Sequence, residues 1–234
     1  MKVGAIVQAR MNSERLPGKV LHPVRGRPML EYLLERLDHC KSLDAVVVAT
    51  STDPTDNPVA GFCRERGTDC YRGSLANVAS RFIDVLTHSG FDAFLRVSGD
   101  SPLLDPQIVD RGVEIFLQGD FDLVTNVFPR SYPRGQSVEV VRSETFRRAF
   151  QKMRDEDELQ HVTLFFYRNP QEFAIHNFAA DADYSDVHLA VDTVEDMERF
   201  SCLLDGMEGP HWQYDLPEIL DMCRSLDGVR RSHA

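Results

Sequence analysis

The chain has 234 residues, 26 Lys and Arg against 37 Asp and Glu, a net charge of −11 and 42% hydrophobic residues; that suits one large domain, or a core with a modest subdomain, and excludes a disordered chain. No apolar stretch nears the roughly 20 residues of a membrane span, and an acidic chain without a long basic stripe is poorly suited to gripping DNA or RNA. The five cysteines, an odd number without a C-x-x-C pair, indicate reduced thiols and no zinc site.

The chain enters a strand at once, so no signal peptide is expected and the expected location is the cytoplasm. Val3 to Val7 reads as that first strand. Pro28 suits a helix first turn, with Leu30, Leu33, Leu34 and Leu37 following at helical spacing. Ala45 to Ala49 is a second strand, closed by the turn-rich Thr50-Ser51-Thr52-Asp53-Pro54. Val59, Phe62 and Cys63 mark a helix face, Cys70-Tyr71 a short strand, and Val78, Phe82, Val85 and Leu86 another helix. Phe94 to Val97 is a strand ending at Ser98-Gly99-Asp100; a helix from Pro106 to Leu117 and a strand near Leu123 to Val127 complete a βαβα rhythm. Such alternation predicts a parallel-rich sheet flanked by helices.

From about Phe128 to Ala180 the rhythm changes. Tyr132 to Gly135 is a turn, Val138 to Val141 a strand, Glu144 to Met153 and about Leu159 to Tyr167 two helices, and Phe173 to His176 a strand. Such an excursion caps a site or forms a subunit contact. Val187 to Val191 then predicts a strand ending at Asp192, Val194 to Leu204 and Pro217 to Leu226 two helices, and Gly228 to Ala234 a frayed tail.

Chemistry gathers after the first strand. From Arg10 to Arg27 there are five cations (Arg10, Arg15, Lys19, Arg25, Arg27) and one anion, Glu14. Loops at the carboxyl ends of strands in open α/β sheets are where ligands bind, and Arg forks with a Lys point charge suit a chain of phosphates. A nucleoside triphosphate is the expected ligand, although Val20 after Lys19 rules out a P-loop. Asp100 and Asp192 end two strands on the same sheet edge. Magnesium needs one or two carboxylates with phosphate oxygens and waters, so this pair is a candidate metal site. Asp192 also reads as a helix cap, with Glu195 at capping-box distance.

These segments carry a resemblance. Gln8-Ala9-Arg10, Arg15 to Leu21, Val48-Ala49-Thr50, Arg72-Gly73-Ser74, Arg96 to Leu103, Tyr132 to Gly135, Val138-Glu139-Val140, His161-Val162-Thr163 and Val191 to Asp196 resemble, in that order, the spore-coat-polysaccharide type of cytidylyltransferase, related to the CMP-sialic acid and CMP-3-deoxy-manno-octulosonate synthetases. The resemblance implies a Rossmann-like nucleotidyltransferase fold over 1–234, with 128–180 as an inserted dimerisation or acceptor-side subdomain. It implies that CTP and an acidic sugar react with Mg2+ to give a CMP-sugar and pyrophosphate. It assigns Arg10, Arg15 and Lys19 to the triphosphate, Ala9, Gly73, Ser74 and Arg81 to the nucleoside, Asp100 and Asp192 to the metal, and Arg134, Glu139 and His161 to the acceptor. Arg10, Lys19 and Asp100 would be the catalytic groups.

The chain departs from the family pattern at Asn12-Ser13-Glu14, Leu159-Gln160, Leu164, Phe165 and His188, most of these on the acceptor side. Asp120-Phe121-Asp122 spells the D-x-D of metal-dependent glycosyltransferases and supplies a rival; a non-catalytic nucleotide-binding subunit is a third reading. A homodimer is expected through the excursion, because Phe146, Phe150, Leu164, Phe165, Phe166, Phe173 and Phe178 are many apolar groups for a small subdomain. The alternative is that they fold back on the sheet.

Overall fold

Short β-branched runs separated by amphipathic stretches bury both kinds of face when a sheet is sandwiched between helices, and that is the architecture found. The structure, a computed structural model, describes residues 1–232 and the side chains of residues 1–226. Its first half comprises β1 (Val3–Gln8), the small hairpin β2 (Pro23–Val24) and β3 (Arg27–Pro28), α1 (Met29–Asp38), β4 (Ala45–Ser51), α2 (Asn57–Arg66), β5 (Asp69–Gly73), α3 (Val78–Ser89), β6 (Ala93–Ser98) and α4 (Pro106–Gln118). There follow β7 (Leu123–Thr125), β8 (Glu139–Arg142), α5 (Ser143–Phe150), α6 (Glu156–Gln160), α7 (Leu164–Arg168), β9 (Ile175–Asn177), α8 (Val194–Asp205) and α9 (Leu216–Ser232).

Seven strands form one sheet in the order β5-β4-β1-β6-β8-β7-β9. β1 pairs in parallel with β4 and β6, and β4 with β5; β8 runs antiparallel between β6 and β7, and β9 is parallel to β7. The chain winds from β1 outward to β5, then returns to β6 on the other side. The loops leaving β1 and β6 therefore diverge and open a crevice at their carboxyl ends. Alternate β1 side chains serve two cores: Ala5 and Val7 join α1, α4, α8 and α9, while Ile6 joins α3, α5 and α7. Among the described residues no helix is long and apolar enough to cross a membrane.

Three expectations are corrected. Val187 to Val191 is not a strand: it makes a single bridge, His188 to Arg134. Its backbone bonds are divided between two loops, with Leu189 N donating to Arg134 O (2.7 Å) and Val191 N to Asp100 O (2.8 Å), so no ladder propagates. The expected helix from Leu159 to Tyr167 is two helices, because His161, at φ −107° and ψ 80°, ends α6. α9 runs to Ser232, past the expected end at Leu226; the last two residues of the expected frayed tail lie outside the described residues.

The excursion supplies β8 and β9 to the main sheet, and α3 packs on α5 and α6. Phe146, Phe165, Phe166 and Phe178 are buried, and Phe150, Leu164 and Phe173 are half-buried. These side chains do fold back on the sheet, so they form no exposed apolar face of the kind that motivated a dimer.

Candidate functional site

The loop after β1 is shaped by one buried carboxylate. Asp56, fully buried before α2, accepts from Met11 N at 2.7 Å with Oδ1 and from the backbone and hydroxyl of Ser51 with Oδ2. Gly18, at φ +76°, closes the loop by donating from its backbone N to Met11 O (2.8 Å). A left-handed residue there costs least as glycine. The turn carries Lys19 inward and leaves Arg10 and Arg15 exposed at the rim.

Lys19 is 7% exposed. Its Nζ donates to Val191 O (2.8 Å), Asp192 Oδ1 (2.9 Å) and Asp100 Oδ2 (3.1 Å), so all three ammonium protons are engaged. Arg15 Nη2 adds a second contact to Asp192 Oδ1 at 3.1 Å. Burial raises the Asp192 carboxyl, but the Lys19 hydrogen bond and the charges of Lys19, Arg15 and His188 bring it below the usual carboxylate range. Asp192 is not the helix cap. Thr193 caps α8 and forms a capping box with Asp196, which leaves Asp192 free to face Lys19.

Beside these groups lies a cavity of about 490 Å³, lined by the β1 loop, by Val78 and Arg81 of α3, by Arg96, Ser98, Gly99 and Asp100, and by Gln160, His161 and Asp192. Arg81 is 1% exposed and donates from Nη1 to Ser74 O at 2.5 Å, while its Nε has no partner. Burial and the nearby Arg10 lower its guanidinium to about 10. Gly99 brings β6 against the first loop: its N donates to Gln8 O (2.8 Å), and a Cβ would stand 3.0 Å from that same oxygen.

The structure thus gathers Ala9, Arg10, Arg15, Lys19, Arg81, Asp100, His161 and Asp192 around one space. It does not bring Gly73, Ser74, Arg134 or Glu139 to the cavity wall. Gly73 has a packing reason to be small: a Cβ would meet Arg81 Cγ at 2.9 Å and Tyr71 Cε1 at 3.1 Å, so the space above it holds the Arg81 stem. Ser74 acts through its carbonyl on Arg81. Arg134 is exposed and pairs by backbone with residues 187–189. Glu139 is buried and bound to Thr163, Tyr167 and Arg96. Sequence reading missed Gln8, Val78, Arg96, Ser98 and Gln160 as lining groups; the strand period was the available signal, because Arg96 and Ser98 share a face two residues apart.

Asp100 and Asp192 each place an oxygen within 3.1 Å of the same Lys19 nitrogen. Two carboxylates converging on one cationic point, beside a cavity able to take phosphates, fit a divalent ion of magnesium type. Among the described residues no group of three or more His, Cys, Asp or Glu could hold a metal, so phosphate oxygens and water would complete the shell. The D-x-D pair lies elsewhere. Asp120 pairs with Arg142 (3.0 Å), and Asp122 accepts from Thr145 Oγ1 (2.5 Å) and Ala174 N (2.9 Å), at the amino end of β7.

The cytidylyltransferase family model matches residues 4–223. The chain is 32% identical over 206 residues to the spore coat polysaccharide biosynthesis protein SpsF of Bacillus subtilis, covering 85% of this chain and 84% of that one. It is 33% identical over 133 residues to the 8-amino-3,8-dideoxy-manno-octulosonate cytidylyltransferase of Shewanella amazonensis, covering 53% of this chain and 52% of that protein. The solved structure of a cytidylyltransferase from Leptospira borgpetersenii superposes with a TM-score of 0.90 at 29% identity, covering 99% of this chain and 96% of that one.

Proposed function

The chain belongs to the cytidylyltransferase family, and from that premise we propose that it transfers the cytidylyl group of CTP to a hydroxyl of an acidic sugar, sialic acid-like or octulosonate-like, for surface-polysaccharide or glycan biosynthesis. A bond forms between the sugar oxygen and the α-phosphorus, the bond to the β-phosphate oxygen breaks, and pyrophosphate leaves. The single observation behind this reading is the meeting of Lys19 with Asp100 and Asp192 at the edge of a basic-rimmed cavity.

Arg10, Arg15 and Lys19 bind the triphosphate, Lys19 by turning a proton from a carboxylate partner to a phosphate oxygen, and Lys19 and Arg10 stabilise charge gathering on pyrophosphate. Such preorganised cations do most of the work in phosphoryl chemistry. Arg81 and the backbone at Ala9 border the nucleoside. Asp100 and Asp192 would hold Mg2+, which when bound neutralises phosphate oxygens. His161 faces the acceptor. The proposed location is the cytoplasm, where CTP is available.

We carry the homodimer forward on narrower grounds than the aromatic excursion: Phe128, 42% exposed, stacks on Tyr167 beside the open edge strand β9. The 128–180 stretch is proposed as the acceptor side of the one domain.

Pyrophosphate release is the deciding measurement, with CTP, UTP, ATP and GTP each tested against N-acetylneuraminate and 3-deoxy-manno-octulosonate. Release with CTP and an acidic sugar is expected. Equal release with every triphosphate, or none with any, sinks the proposal. The glycosyltransferase rival would consume a nucleotide sugar without pyrophosphate, and Asp120 and Asp122 do not line the cavity.

A further inference from the structure

Arg96 lines the cavity from β6, away from the basic loop that serves the triphosphate. Two of its edges are fixed. Nε donates to Gln8 Oε1 at 3.3 Å and Nη1 to Glu139 Oε2 at 3.2 Å, while Nη2 has no hydrogen bond to any described residue. Glu139, expected to touch the sugar, is in no position to do so. It is 3% exposed, and its other oxygen accepts from Thr163 Oγ1 and Tyr167 Oη, both at 2.6 Å.

Charge points the same way. Burial lowers the Arg130 guanidinium, the charge of Glu139 opposes this, and the charges of Arg134 and Arg96 add to it, so Glu139 is shared between Arg96, to which it is bonded, and the nearby Arg130. This surplus lies on a protein whose net charge is −11. A planar guanidinium with one edge open is suited to a carboxylate. The Gln8 amide offers its oxygen to Arg96, which leaves its two N–H donors for a ligand.

We propose that Arg96, with the Gln8 amide beside it, binds the carboxylate of the acceptor sugar, and that Glu139 is its positioning residue. The proposal rests on the cytidylyl-transfer reading and adds the group that selects acidic over neutral acceptors. A neutral sugar would leave the open Nη2 edge and the Gln8 amide donors without an acceptor, which is how a polar site rejects an analogue lacking the matching group.

Pyrophosphate kinetics with CTP, and N-acetylneuraminate or 3-deoxy-manno-octulosonate as acceptor, test it. Arg96→Met should raise the acceptor KM about tenfold or more and leave the CTP KM within about twofold. Arg96→Lys should recover part of the loss, because charge returns without the fork. Glu139→Gln should raise the acceptor KM alone, by less. Equal change in both KM values, or an unchanged acceptor KM, overturns the proposal and makes Arg96 a brace between β6 and β8. Saturation-transfer NMR on protein loaded with an α,β-methylene CTP analogue covers slow turnover. Failure of both acids to bind the wild type there overturns acidic-acceptor recognition. Calorimetry with CTP alone tests the nucleotide reading separately.

Discussion

Lys19 carries two testable consequences with its neighbours. Loss of a charge-assisted phosphate contact costs about 1.5–3 kcal/mol, so Lys19→Ala and Arg10→Ala should each weaken CTP binding by that order. Calorimetry with magnesium present checks this, and unchanged affinity in both would remove the loop from the nucleotide site. Asp100→Asn and Asp192→Asn should keep the fold and lose turnover, since an amide cannot neutralise a cation. Because Thr193 and Asp196 already cap α8, a stable, inactive Asp192→Asn separates the metal role from capping in one measurement. That Lys19, Asp100 and Asp192 lie together was legible in part: Asp100 follows the strand β6 and the spacing of basic residues marks Lys19, whereas Asp192 was placed by a strand that the structure does not contain. Arg96 was hidden: in a strand, one Arg among apolar neighbours gives no sign of which way it faces or whether Glu139, 43 positions on, holds it. The packing reason for Gly73 was hidden because the side chain that fills its space, Arg81, comes from the next helix.

The strands and helices with strong period were readable from the chain alone, from β1 to α4 and again at α8, but the short hairpin of β2 and β3 was not, and Pro28 lies in β3 just ahead of α1. What was not readable depended on where hydrogen bonds go. The 187–191 segment has the composition of a strand, yet its partners are loops, and Gly135 makes that docking possible. At φ +96°, with a Cβ that would fall 2.6 Å from Ala190 N, Gly135→Ala should destabilise by roughly 1–3 kcal/mol. Urea unfolding checks the stability, and CTP affinity should fall with it because residues 187–191 lead into Asp192. A second prediction concerns α1. His211 lies below its ordinary value through burial, opposed by the bond to Glu35 and aided by the charge of Arg36. Burial raises Glu35, but the bonds from His211 and Arg27 bring it lower. Both groups bind protons less readily folded than unfolded, so stability rises with pH across their windows and is lost as pH falls below about 6.5 for His211. Tm should decline between about pH 7 and 5, and His211→Asn should flatten that part of the slope. An identical slope in the variant would assign the decline to other groups.

The sheet order and the crevice at β1 and β6 set the whole assembly; alternation of strand and helix foretold a parallel-rich sheet flanked by helices, not the order of its strands. Nor was the fate of the excursion foretold, because composition cannot say whether aromatics cover a sheet or a partner. Light scattering should find twice the 26.6 kDa protomer mass, with Phe128→Arg shifting the protein toward monomer; a monomer with full activity would dispose of the dimer. The Lys19 ammonium also bears on how the molecule comes into being. It joins groups 81, 172 and 173 positions away along the chain, so no amino-terminal fragment holds the finished site. During synthesis the first loop waits, its charges unmatched, until the segment reaching Asp192 has emerged and docked. Contacts of such long sequence separation form late. In refolding experiments, competence to bind CTP should therefore lag behind the gain of helix followed by far-ultraviolet circular dichroism.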